Sequence, residues 1–485
     1  MRPLSAVTFR RLTAVLGLAA LLPSTAFAAG YDTPILYSAR HMGMGGVAIG
    51  AVDDPSAIYH NPAGLGAMDG GALHLDFSPI MGKIKGTPSK TSGNIESNFA
   101  LSPAFLGAFA WRVHKYLSAG IAVYPAASSG GGYSYTAKDA KGSVTSTEDT
   151  ARLVFMEAAP SLAVELLPGL RLGLAGRFAQ VTFQRKVINT EAGAEIPYID
   201  MDMKGYAFTG IRAGLQYTVG DWDLGAVYRT GTTATVEADK ATVTGLPAKD
   251  GKFEFKLPSK AGLGLQYKGI KNLRLGADFE YIFNSENDVT YVSGKPCLDG
   301  ETCSLMGSEL KVPAVAEWSN SMTVRVGGAY KVGDFEPRLG YLLDTQAANK
   351  AYPSAFGSPP APTHTVTAGL GYDVSKNLDL SVACAYRSGS TTITAEDVKG
   401  AQSCPFCGQP GEYGLNLFGA YIDVRWRFGG SSAQAAAPTP AAPSPVPAAP
   451  EAVPVAPEAL PVAPAPAPVA PSAPDTPPAP ATPGR

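Results

Sequence analysis

The sequence predicts an all-β transmembrane barrel of about fourteen antiparallel strands, and three observations carry that expectation. A short export signal opens the chain. Residues 71–429 then alternate apolar and polar positions over and over, and the alternating runs are each about ten residues or more, the length that a tilted strand needs to cross a bilayer. Residues 29–70 before the strands are glycine-rich and without period, and residues 430–485 after them are almost entirely Ala, Pro, Val and Ser.

The first segment sets the compartment. Arg2, Arg10 and Arg11 make a basic start, Leu12 to Leu22 a short apolar core, and Ala26-Phe27-Ala28 a small-residue cleavage site, so residues 1–28 read as a signal peptide. The apolar core is about half of the roughly 20 residues that a membrane-spanning helix requires. Arg10-Arg11 lacks the rest of a twin-arginine signal. No later apolar run is long enough for such a helix. A net charge of −2 over 485 residues, with 54 glycines and 21 tyrosines, excludes the basic balance of a nucleic-acid binder.

The strands follow from period-two patterning, which gives a segment two unlike faces. Leu73, Leu75 and Phe77 alternate with His74, Asp76 and Ser78. Leu273, Leu275, Phe279 and Tyr281 oppose Arg274, Asp278 and Glu280; Leu378, Leu380, Val382 and Cys384 oppose Asp379, Ser381 and Arg387. Phe418, Ile422, Val424, Trp426 and Phe428 oppose Asp423, Arg425 and Arg427. Such segments begin near residues 71, 98, 116, 151, 170, 203, 222, 252, 272, 318, 334, 363, 377 and 414, an even count as a bacterial single-chain barrel requires. A soluble sandwich also alternates. Its strands are shorter, however, and would not be capped by aromatics such as Tyr217, Trp222, Tyr228, Tyr341, Tyr372 and Tyr421, which read as interfacial girdles. Closure into a barrel also leaves no strand edge unpaired in lipid.

Four cysteines fall in loop-like segments of an exported chain, so Cys297 with Cys303, and Cys404 with Cys407, are disulfide candidates that pin loops. No βαβ pattern surrounds Cys404-Pro405-Phe406-Cys407 to suggest redox chemistry, and no histidine stands near to suggest zinc. No metal and no cofactor are expected. The Ala/Pro tail cannot build a core and favours extended polyproline II, a spacer or a disordered strap reaching toward the cell wall.

In the segment before the strands, Gly43-Met44-Gly45-Gly46-Val47-Ala48 matches a dinucleotide-binding fingerprint only in letters: no strand precedes it and no βαβ unit follows. Downstream lies Asp53-Asp54-Pro55-Ser56-Ala57-Ile58-Tyr59-His60-Asn61-Pro62-Ala63-Gly64-Leu65. This stretch, just before the first strand, resembles the hatch of the FadL/TodX family of outer-membrane transporters for long-chain fatty acids and aromatic hydrocarbons. Leu257-Pro258-Ser259-Lys260-Ala261-Gly262-Leu263-Gly264 is similar to that family's entry to a mid-barrel strand. Residues 318–345, Gly369-Leu370-Gly371-Tyr372 and the closing strand to Phe428 continue the likeness, which covers residues 29 to 429.

The resemblance implies that residues 29–70 are a plug inside the barrel's periplasmic mouth. It implies that a hydrophobic ligand binds in the lumen, that the plug rearranges, and that ligand leaves sideways at an inward-kinked strand without an energy source. Asn61, Pro62, Ala63 and Gly64 are then the plug-gating candidates, although Asn-Pro is also an ordinary turn starter. His60 beside them reads as a satisfied surface histidine. Pro125 interrupts the third strand, around Ala119 to Ala127, and marks the candidate kink, since proline removes a ladder donor. Two departures stand out. The segment from Ile188 to Asp202 is too short for the long external capture loop of the family's fatty-acid transporters, and a tail follows the closing strand.

Strand parity places Arg177, Arg185 and Arg325 inside, with Arg212, Arg229 and several carboxylates. They read either as a lattice that fills the lumen or as the partners of a ligand carboxylate. Val181 and Phe183 share the inner face of one strand with Arg177 and Arg185, an apolar stretch beside a cation that suits an amphipathic ligand. The expected function is passive, plug-gated passage of hydrophobic compounds across the outer membrane. The expected partners are a hydrophobic small molecule, outer-membrane lipid and lipopolysaccharide, the barrel-assembly machinery and, through the tail, the cell wall. A non-transporting scaffold or wall-tethered barrel is the alternative. An enzyme is not expected, because neither Gly-x-Ser-x-Gly nor His-Glu-x-x-His occurs.

Overall fold

The computed structural model describes residues 37–138, 143–243, 246–297, 302–398 and 409–429. The signal peptide, the Ala/Pro tail, Cys404 and Cys407 lie outside the described residues. Within them the chain forms β1 (Gly71–Gly86), β2 (Ile95–Glu96), β3 (Ala100–His114), β4 (Leu117–Lys138), β5 (Val144–Leu167), β6 (Leu170–Glu191) and β7 (Ala194–Val219). There follow β8 (Trp222–Arg229), β9 (Thr232–Val243), β10 (Leu246–Leu257), β11 (Lys260–Ile270), β12 (Leu273–Ile282) and β13 (Val289–Pro296). The last are β14 (Leu310–Val315), β15 (Ser321–Tyr330), β16 (Phe335–Asp344), β17 (Thr363–Ser375), β18 (Leu378–Ile393) and β19 (Gly411–Phe428).

All ladders are antiparallel, and β1 pairs with β19 from Gly71↔Phe428 to Lys85↔Gly414, which closes the wall. β8–β9, β10–β11, β12–β13 and β14–β15 are each one stave broken in two, and β2 is a two-residue addition to β1. Among the described residues the barrel therefore has fourteen staves. The wall meets the physical demand of lipid, where every backbone group must find its partner within the protein.

Side chains sort by parity. Outward rows are apolar and exposed, as with Leu75 and Phe77 on β1, Leu172 and Leu174 on β6, and Phe418, Ile422 and Trp426 on β19. Tyr217, Trp222, Tyr228, Tyr341 and Tyr372 are exposed as well, as girdle residues should be. Tyr421 is not. It is buried, because it shares the parity of Asp423 and not that of Ile422, and so points inward.

Several strands begin earlier than apolar alternation suggests: β5 at Val144, β7 at Ala194, β10 at Leu246 and β14 at Leu310. The reason is that these staves outgrow the lipid. β7 has 26 residues, which at ~3.3 Å each is roughly 85 Å, well beyond a tilted crossing of a 30 Å core. On the upper part of β6 the outward residues are polar (Gln180, Thr182, Gln184 and Lys186), while Val181 and Val187 face in and are buried. Ala192-Gly193, both at positive φ, join β6 to β7 in a two-residue hairpin turn. The connection expected between Ile188 and Asp202 is therefore strand, with a still shorter turn.

Residues 37–68 lie against the inner faces of the staves. They form α1 (Ala39–Met42), α2 (Ala57–His60) and a 3-10 turn at Pro62–Ala67, and nearly all are buried.

Candidate plug and lumen site

The plug sits on glycines. A Cβ on Gly173 would overlap the Pro62–Ala63 peptide, one on Gly214 would overlap Asn61 Oδ1, and one on Gly225 would overlap the Ile49 carbonyl. Further round the wall, Gly264, the register partner of Gly225, meets Gly50, Gly327 meets Met44, and Gly340 meets Gly45 in the same way. The plug backbone thus lies directly on the strand backbones, an approach that only residues without a side chain permit.

Asn61 fixes the plug at this level. Its Nδ2 donates to the carbonyls of Ile49 (2.8 Å), Leu215 (3.0 Å) and Ala226 (3.3 Å), and its Oδ1 accepts from Ala63 N (3.2 Å). Pro62 starts the 3-10 turn, and Ala63 and Gly64 are buried within it. His60 is buried, contrary to the surface position expected for it, because α2 turns it toward Tyr37, whose carbonyl lies 2.9 Å from Nε2. Burial, with His41 nearby, pushes the His60 pKa well down, so the ring is neutral.

Where the plug meets β19 it is held by charge. Arg40 Nη1 pairs with Asp53 at 2.5 Å and Asp54 at 3.1 Å, and Arg425 of β19 approaches both carboxylates at 3.6 and 3.5 Å. Burial raises the pKa of Asp53, but Arg40 and Arg425 outweigh it and hold the carboxyl at about 2. Ser38 Oγ and Arg40 N both donate to Asp423 of the wall.

One break in the wall lies beside the plug. β3 and β4 pair from His114↔Leu117 to Gly107↔Val123; above that level β3 pairs with β1 and β4 with β5. The separation begins where Tyr124 and Pro125 stand, and the β4–β5 register shifts between Pro125 and Ala127. Tyr37, the first described residue of the plug, donates from its hydroxyl to the Pro125 carbonyl, and its ring packs with Tyr59 and Tyr124.

The inner arginines are largely committed. Arg177 binds Glu157 through Nε and Nη2, and its Nη1 donates to the Thr230 carbonyl at the β8–β9 break. Arg185 pairs with Asp149 and lies over the Phe356 ring at 4.6 Å. Arg325 pairs with Glu280 and, at 4.0 Å, with Asp278. Arg212 differs: it is buried and forms no ion pair among the described residues, donating instead to the Ile58 carbonyl and to Tyr124, with Tyr59 facing it at 5.1 Å. Sequence reasoning placed Arg212 inside but did not single it out, since only the fold reveals which arginines find a carboxylate. Val181 is buried, and Phe183 packs with Phe253 and Phe255 in an aromatic cluster. The cleft between Tyr59, His60, Arg212, Arg229 and Arg325 has about 10 Å³, room for little more than one water. Cys297 is disulfide-bonded to Cys303.

The family model described as outer membrane protein transport protein (OMPP1/FadL/TodX) matches residues 19–410. The chain belongs to that family. Its members are outer-membrane transport proteins and not enzymes. The barrel is similar to the Pseudomonas putida toluene transporter TodX at 18% identity and a TM-score of 0.58, covering 81% of this chain and 99% of that one. It is similar to the Ralstonia pickettii toluene transporter TbuX at 16% identity and 0.58, covering 81% and 98%. A Pseudomonas aeruginosa FadL homologue gives 13% and 0.58, covering 83% and 100%. A search of curated protein sequences finds no match.

Proposed function

We propose that this outer-membrane protein passes hydrophobic molecules through a plugged lumen and releases them sideways at the β3–β4 separation. The observation that carries this reading is the coincidence of three things at one place: the end of the β3–β4 ladder, the proline at 125, and the plug residue Tyr37 bonded to its carbonyl. A plug that withdraws Tyr37 uncovers an opening in the wall at membrane depth. The lumen supports an apolar ligand, since a continuous cluster of buried apolar side chains runs from Phe255 through Val181 to Tyr59 and Tyr37. Arg212, without a carboxylate of its own, is the group placed to meet an acidic headgroup.

Because the cleft beside Arg212 is nearly filled, ligand binding displaces Tyr59 and with it the plug; this couples occupancy to opening. The test is uptake of labelled oleate and, separately, of toluene into cells lacking their own transporter. Wild-type protein restores at least one. Arg212→Gln abolishes oleate uptake and leaves toluene uptake intact if the ligand is a carboxylate. Failure of correctly inserted wild type to move either compound sinks the reading.

A further inference from the structure

The wall has a second interruption, away from Pro125. Four neighbouring staves break at the same height: at Thr230-Gly231, Pro258-Ser259, Phe283 to Asp288, and Ala316 to Asn320. Between the second and third of these the ladder itself is missing. β11 pairs with β12 up to Lys260↔Ile282, and β10 pairs with β13 only from Phe253↔Val292 onward. Across the seam, Phe283 N donates to the Ser259 carbonyl at 3.0 Å, and the Glu286 carboxylate accepts from Ser259 N and Ser259 Oγ. Side-chain bonds from one glutamate thus replace a run of ladder bonds.

The seam lies at the upper edge of the lipid-facing band. Below it, Leu263 and Phe279 are exposed and apolar; above it, Lys252 and Glu254 face out. Val289 and Tyr291 are exposed beside it and border a hollow of about 220 Å³ that Phe253 also lines. Phe253 reaches inward as well, its ring 4.3 Å from Phe255 and 5.6 Å from Phe183. One side chain therefore touches both the outer hollow and the apolar cluster that leads to the plug. The top of the lumen offers less: residues of the β16–β17 loop pack into it, with Tyr133 donating to the Ala355 carbonyl and Phe356 over Arg185.

We propose that this seam is the entrance, through which hydrophobic or amphipathic molecules dissolved in the outer leaflet pass over Phe253 into the lumen. The inference rests on the transport reading. Lys252→Cys with Ser293→Cys, register partners beside the seam, staples β10 to β13. A control staple, Thr147→Cys with Asn189→Cys, joins the partners of an intact ladder on β5 and β6. Oleate and toluene uptake are measured before and after reduction, with reduced wild type as reference. The seam staple abolishes uptake, reduction restores it, and the control staple changes nothing. Phe253→Asp, at equal surface abundance, gives the same loss without any crosslink. If the seam staple forms and uptake stays at the wild-type level, the entrance is elsewhere and transport still stands. If wild type moves neither compound, the transport reading fails and the entrance falls with it.

Discussion

At the scale of single residues, the buried ion pair of Arg177 and Glu157 is the sharpest case. Both side chains are fully buried, and the arginine also serves a carbonyl that a broken stave leaves unpaired. Arg177→Met strands a carboxylate in the wall and is expected to destabilise the barrel by about 3–5 kcal/mol, while the double change with Glu157→Leu loses less. Urea unfolding in lipid vesicles measures both. Asn61→Ala removes the donor that three carbonyls share, so the plug loosens and hydrogen exchange of residues 61–66 speeds up while the barrel stays intact. His41 adds a pH dependence. Burial lowers its pKa from 6.5 to about 4, so the undocked plug binds more protons between those values. Docking is at full strength above pH 6.5 and weakens as pH falls toward 4, with His41 contributing on the order of 3 kcal/mol of the loss. Asp53 works lower: its contribution is lost only as pH falls from 3.8 toward 2. Exchange of the plug amides across this range checks the sign, and His41→Asn should shrink the upper part of the profile, leaving the share of His60, whose pKa burial also lowers.

At the scale of elements, the strands are legible in the sequence because a barrel wall repeats one rule, apolar toward lipid and polar toward the lumen. The count of staves and most faces follow from it, and Tyr421 departs from the girdle only because its own parity turns it inward. The rule fades above the membrane, where outward residues such as Gln180 and Lys186 are polar for a different reason, and so the upper halves of β5 and β7 do not read as strand. The glycine seat is present in the sequence as inward-facing glycines on successive strands. A single glycine in a strand, however, says only that backbone comes close, not which backbone. Gly214→Ala is expected to unseat the plug, because the new methyl occupies the position of Asn61 Oδ1, while Gly107→Ala, whose methyl would meet nothing closer than Leu75 Cδ2 at 3.9 Å, leaves plug and barrel in place. Protease sensitivity of residues 37–68 in intact barrels separates the two.

At the scale of the whole molecule, the chain joins a lipid-spanning wall, a strand-built extension above it and an Ala/Pro tail of residues 430–485. The tail's composition, Ala and Pro with few bulky side chains, builds no core, so transport should not depend on it. If the protein carries ligand, deletion of residues 431–485 leaves uptake of oleate or toluene at the wild-type level for equal surface abundance. If the protein instead serves as a wall-tethered scaffold, the same deletion releases it from co-sedimentation with peptidoglycan and produces the phenotype of a null strain. The two measurements are made on one variant, and loss of uptake together with retained wall association would argue against both roles for the tail, since a spacer that binds nothing should not be needed for passage through the barrel.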